Sequence, residues 1–141
     1  WDAGEWDEGC AADLMRRRAE LGAQRIKVFA DVDKKHSVRF PGIDLRTHVE
    51  WTRFFGADAL IVSGRMTGDA PDLGKVREAR TFAEATPLLI GSGATAENVG
   101  PFLSVADGVI VGSSVKEGGT VENPVDVERV KSFVAAARAA A

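Results

Sequence analysis

The sequence contains a single cysteine, Cys10, in 141 residues. A lone thiol excludes an internal disulfide framework and a cysteine-rich zinc site, and it fits a reducing compartment, so the expected location is the cytoplasm. No apolar run approaches the roughly 18 to 20 residues that span a bilayer, so no transmembrane segment is expected. The opening WDAGEWDEGC is acidic where a secretory signal is basic and then apolar. Basic charge is not in excess either: 18 Lys and Arg against 21 Asp and Glu give a formal net charge of -3, and no nucleic-acid partner is expected. There is no low-complexity linker, and the length suits one core rather than two, so residues 1–141 are read as a single α/β domain. The chain does not begin with methionine, which leads to the expectation of a processed, trimmed or partial protein.

Four short runs rich in Val, Ile, Leu and Phe read as buried strands: RIKVFADV (25–32), ADALIVSG (57–64), PLLIGSG (87–93) and ADGVIVGSS (106–114). Helically spaced segments precede each run, and DVERVKSFVAAARAAA closes the chain. Asp44, Asp72, Thr95 and Asp126 are expected N-caps, while Gly22 and Gly56 are expected helix stops. Strict alternation of helix and strand predicts parallel strands with right-handed crossovers. Two architectures use that pattern: an open doubly wound sheet, or part of a (β/α)8 barrel of the TIM type. On the first strand Lys27, Phe29 and Asp31 share one face, and Ile26, Val28 and Ala30 the other. Polar groups on one face favour the barrel, whose strands show apolar side chains to the helices and polar ones to the lumen.

In either architecture the ligand site lies beyond the carboxyl ends of the strands. The first end carries DVDKKH, in which Asp31 and Asp33 lie on one side of an extended segment with His36 close behind. That set would serve general acid/base chemistry or a divalent metal, against the plainer reading of a solvated turn. The second end offers Ser63-Gly64 and Thr67-Gly68. The third and fourth end in Gly91-Ser92-Gly93 and Gly112-Ser113-Ser114. Glycine turns let backbone N–H groups approach a phosphate, and a helix starting near Thr95 would add its own; the alternative is that Gly91 and Gly93 merely permit a tight turn. Gly91 to Ala96 also matches the dinucleotide fingerprint, but that reading needs an acidic residue at the end of the next strand, where Gly112-Ser113 stands instead. His48 reads as a packing or surface residue, Lys27 as structural, and Arg16-Arg17-Arg18 as a solvated helix face.

DVDKKH, GADALIVSGRMTGDAPDL, PLLIGSGATAENV, ADGVIVGSSVKEGG and ENPVDVERV, in this order and spacing, resemble the BtpA/SgcQ family of (β/α)8 barrels. The resemblance runs from about Glu8 to Arg138, and it implies that the chain is the C-terminal half of a TIM barrel: four βα units, strands five to eight. The matching positions are Asp31, Lys35, His36, Thr67, Gly68, Gly91, Gly93, Gly112 and Ser113, whereas Lys34 and Arg65 look variable. The family implies two functions: nucleosidase or sugar-related chemistry in one set of members, and photosystem I biogenesis and stability for the founding cyanobacterial type.

The leading expectation is a barrel that binds a phosphorylated sugar or nucleoside-type ligand, with Gly91, Ser92, Gly93, Gly112, Ser113 and Ser114 as the phosphate cup. Asp31 would be the general acid/base, Lys35 or His36 would assist, and Thr67 would orient the substrate. No cofactor is required, and a divalent metal at Asp31 is optional. The alternative is a non-catalytic assembly factor. A half-barrel would also leave its lumen face and two sheet edges open, so completion by a second copy or by an N-terminal half is expected.

Overall fold

A computed structural model describes residues 9–140. The elements alternate along the chain: α1 Ala11–Glu20, β1 Phe29–Asp33, α2 Leu45–Phe54, β2 Ala59–Val62, α3 Leu73–Ala83, β3 Leu88–Ile90, α4 Val99–Leu103, β4 Gly108–Val109 and α5 Val127–Ala140. Short 3-10 turns at Ser113–Val115 and Glu117–Gly119 separate β4 from α5. The four strands form one parallel sheet in chain order, β1-β2-β3-β4. An open doubly wound sheet reverses its strand order at a switch point, so this sequential order removes that alternative and leaves the barrel arrangement.

The sheet has one closed face and one open face. Val32, Leu60, Val62, Leu88 and Ile90 are fully buried and pack in one cluster with Leu45 and Val49 of α2, Val76, Ala79 and Ala83 of α3, and Phe102 of α4. Alternation along each strand therefore sends the intervening residues to the other side. Asp31, Ile61, Leu89 and Gly108 are in register across that second face. Among the described residues no helix covers it, and Phe29 and Ile110 remain 54% and 46% exposed. This is the lumen face of a barrel wall, and its polar member is Asp31, as the alternation in the first run implied.

Local chemistry explains the element ends. The Asp44 carboxylate accepts from Thr47 N–H (2.8 Å) and that of Asp72 from Lys75 N–H (3.0 Å). Asp126 accepts from Glu128 and Arg129 N–H groups, so three of the four expected N-caps hold. The fourth does not. The Thr95 N–H is taken by the Asn98 side chain (2.8 Å), whose amide also donates to Gly93 O (2.9 Å), and α4 begins only at Val99. The first strand also starts later than the apolar run suggests, because Ile26 N–H closes a turn onto Ala23 O.

Two aspartates clamp the opposite, amino-terminal ends of the strands. Asp58 accepts from Val28 N–H (2.9 Å), pairs with Lys27 (2.8 Å) and is reached by Arg18 (3.2 Å). The Lys27 hydrogen bond, followed by that of Val28, holds the Asp58 carboxyl below the usual range. Asp107 repeats the device one pair of strands later, accepting from Leu88 N–H (2.7 Å) and from Arg80 (2.7 Å). Lys27 is thus structural, and one member of the arginine run, Arg18, faces the sheet while Arg16 and Arg17 pair with Asp13 and Glu20 on the surface. His48 is half-buried on α2; burial lowers its pKa, opposed by a hydrogen bond to the Val32 backbone, and its Nδ1 has no partner among the described residues.

Candidate functional site

The carboxyl ends of β3 and β4 enclose a cleft of about 270 Å³. Lys35 and Thr67 reach it from the first two strand ends, and Gly91 to Thr95 and Ile110 to Ser114 form its walls. Eight of the ten expected site residues therefore meet in one place. Asp31 and His36 do not line it: Asp31 stands one face-step below, exposed on the lumen row, and His36 borders a neighbouring cleft. His36 touches the first cleft indirectly, with Nε2 3.3 Å from Thr67 Oγ1.

The eight do not act alike. Gly91 N–H is bound to Val62 O (2.8 Å), and its missing Cβ makes room for the Ile61 and Ser63 side chains. Ser92 is buried, and its hydroxyl accepts from Gly64 N–H (3.1 Å) and donates to Asp69 O (2.8 Å), so it joins the third loop to the second. The Ser114 hydroxyl donates to Ala94 O (2.6 Å) and joins the fourth loop to the third. These three residues build the site and leave no donor for a ligand from the groups named.

What remains is a set of backbone donors. The carbonyls of Gly93 and Ala94 are engaged by Asn98 and Ser114. Among the described residues, the N–H groups of Gly93, Ala94, Gly112 and Ser113 donate to no other backbone group. Ala94 is buried, Gly93 and Ser113 are half-buried and Gly112 is exposed, and all four line the cleft; backbone N–H groups that converge on a concavity are the donors from which anion nests are built. Lys35 supplies positive charge at the rim and has no ion pair among the described residues. The helix contribution anticipated at Thr95 is reduced, since Asn98 consumes that N–H and the Thr95 side chain bonds Glu97 and lowers the pKa of its carboxyl.

Sequence reasoning missed the supports. Asp33 is no solvated turn: its carboxylate bridges Arg39 (2.8 Å) and Lys75 (2.8 Å), tying the end of β1 to the following loop and to α3. The loop from Gly64 to Ala70 wraps onto Gly93 so closely that a Cβ on Gly93 would overlap the backbone of Asp69 and Ala70. The one local signal was the repeat of Ala-Asp before an apolar run, Ala57-Asp58 and Ala106-Asp107, which marks the clamps. Among the described residues no group of three or more His, Cys, Asp and Glu side chains is arranged to hold a metal ion, and no helix is long and apolar enough to cross a membrane.

A sequential parallel βα sheet with its polar cleft at the strand carboxyl ends defines a protein of the TIM-barrel type. The structure of N-(5'-phosphoribosyl)anthranilate isomerase from Pyrococcus furiosus is similar in fold, with a TM-score of 0.60 over 92% of this chain and 57% of that one, at 20% identity. The chain belongs to the BtpA family, whose model matches residues 2–139. It is 40% identical over 130 residues to the photosystem I biogenesis protein BtpA of Synechocystis and 38% identical over 131 residues to an uncharacterized mitochondrial protein of Caenorhabditis elegans. The match covers 92% of this chain in both cases but 45% and 47% of those proteins, so the chain spans about half the length of the curated relatives it matches.

Proposed function

We propose that the full-length protein binds a phosphorylated sugar or nucleoside-type ligand, with the phosphate held between the ends of β3 and β4. The observation that carries this reading is the cluster of four backbone N–H groups with no backbone acceptor among the described residues, beside Lys35 in one cleft. Barrels commonly seat phosphate after their last two strands, which supports numbering these strands seven and eight and the chain as a C-terminal half. In this reading Asp31 on the lumen row exchanges protons with the ligand, Lys35 balances its charge, and Thr67, steadied by His36, orients it.

The 40% identity with a photosystem I biogenesis protein favours a second reading, in which the barrel is an assembly factor and any ligand regulates it. Asp31→Asn separates the two. The enzyme reading expects ribose 5-phosphate to bind this variant about as well as the parent while turnover of a phosphorylated substrate falls by about a hundredfold or more. An assembly factor keeps its function in the same variant. Absence of saturable ribose 5-phosphate binding to the parent protein, measured by calorimetry, would contradict the first reading.

We infer in addition that the open lumen face and the unpaired edges of β1 and β4 are completed by another four-unit half, upstream in the same protein or in a second copy. Exposed Phe29 and Ile110, and the outer edges of β1 and β4, which pair with no strand among the described residues, are the support. Sedimentation of the isolated 141-residue chain is then expected to show self-association, whereas a monodisperse monomer would argue against completion.

A further inference from the structure

A second cleft, of about 600 Å³, opens beside the first at the ends of β1 and β2. Its charge is lopsided: Lys34, Arg39, Arg65 and Lys75 line it against one carboxylate, Asp33. Asp33 pairs with both Arg39 and Lys75, so that trio keeps a formal positive charge after internal pairing. Asp72, on the far side of Lys75, is occupied in capping α3. Arg65 is exposed and has no ion pair among the described residues. Arg65 and the net charge of the Asp33–Arg39–Lys75 trio together leave the concavity with an excess of positive charge that attracts an anion, and a guanidinium matches phosphate or carboxylate oxygens in a planar, two-pronged way.

The two clefts share a wall. Thr67 lines the first, His36 the second, and their side chains meet at 3.3 Å. His36 holds a left-handed backbone, φ 58°, and its N–H donates to Arg65 O (3.0 Å), which pins the loop after β1 to the loop that bears Arg65. Such a conformation costs free energy for a side-chain-bearing residue and persists because the surrounding loops hold it. The consequence is a fixed partition, with Lys35 on one side and Arg65 on the other.

We propose that the second cleft receives a second anionic group of the same ligand, so that the substrate class is a phosphorylated compound carrying a further phosphate or a carboxylate. This rests on the phosphate cup between β3 and β4 and extends it. The test is calorimetric titration of the full-length protein with three probes of one carbon-chain length: fructose 6-phosphate, fructose 1,6-bisphosphate and 6-phosphogluconate. At least one doubly anionic probe should bind about tenfold or more tightly than the monophosphate, and which one gains identifies the second group as phosphate or carboxylate. Arg65→Gln, at an exposed position whose loss leaves no ion pair broken, should collapse that difference. Equal affinities for all three probes, or a difference that survives in Arg65→Gln, would overturn the proposal while leaving the cup intact. No saturable binding of any probe would overturn both.

Discussion

Replacing Gly93 by alanine should destabilise the fold by about 3 kcal/mol, a large fraction of what holds a domain of this size together. Two costs coincide at this position. Gly93 has φ 67°, in the left-handed region where a Cβ is unfavourable. Its Cβ would also enter the backbone of Asp69 and Ala70, which cannot move aside as the end of a flexible side chain can. The loop from Gly64 to Ala70 is held there by Ser92, and Gly64 itself approaches Asp69 too closely for a side chain. Chemical denaturation read by circular dichroism checks the figure. A change below about 1 kcal/mol would mean that the second and third loops do not pack as described.

Gly112→Asp should do the reverse: leave the fold in place and cut phosphate-ligand affinity by about a hundredfold or more. A Cβ at Gly112 meets no atom within 4 Å and the residue lies outside the left-handed region, so the substitution adds volume and a negative charge on the cleft side without a clash. Like charges brought together in a partly desolvated site cost several kcal/mol, which sets the size of the loss. The contrast with Gly93 decides how the site is probed. A carboxylate at Gly93 would weaken binding by unfolding the loop, whether or not a phosphate ever sat there, whereas one at Gly112 reports on the ligand. Calorimetry with ribose 5-phosphate on the parent and on Gly112→Asp gives the ratio, and equal affinities in a folded variant would remove the cup.

Much of this architecture was legible in the chain. Four apolar runs with turn residues at their ends gave the strands, strict alternation gave parallel pairing, and the Lys27-Phe29-Asp31 face gave the lumen side. Asp44 and Asp72 were readable as caps because the whole interaction spans three residues. The failures share one physical origin, a partner distant in sequence or a competing side chain. Asp33 read equally as a solvated turn residue or as part of an acid/base or metal set, and its bridging role stayed hidden because one of its two partners, Lys75, lies 42 residues away. Thr95 has the right chemistry for a cap, but Asn98 takes its N–H first and delays α4.

The glycines show the same limit. Gly91, Gly93 and Gly112 look equivalent in the sequence, yet one makes room for Ile61 and Ser63, one admits a neighbouring loop, and one borders open space. Spacing identifies where backbone can come close. It does not identify what comes close, and only the third of these positions has open space on its Cβ side.

The backbone N–H groups of Gly93, Ala94, Gly112 and Ser113 are the proposed phosphate holders. Nitrogen-15 resolved NMR spectra of the full-length protein, recorded during titration with ribose 5-phosphate, test that role most directly. These four amide signals are expected to move together and saturably, with protons shifting downfield as they acquire a charged acceptor. Four unmoved amides in a titration that shifts other residues, or shifts nothing, would contradict it.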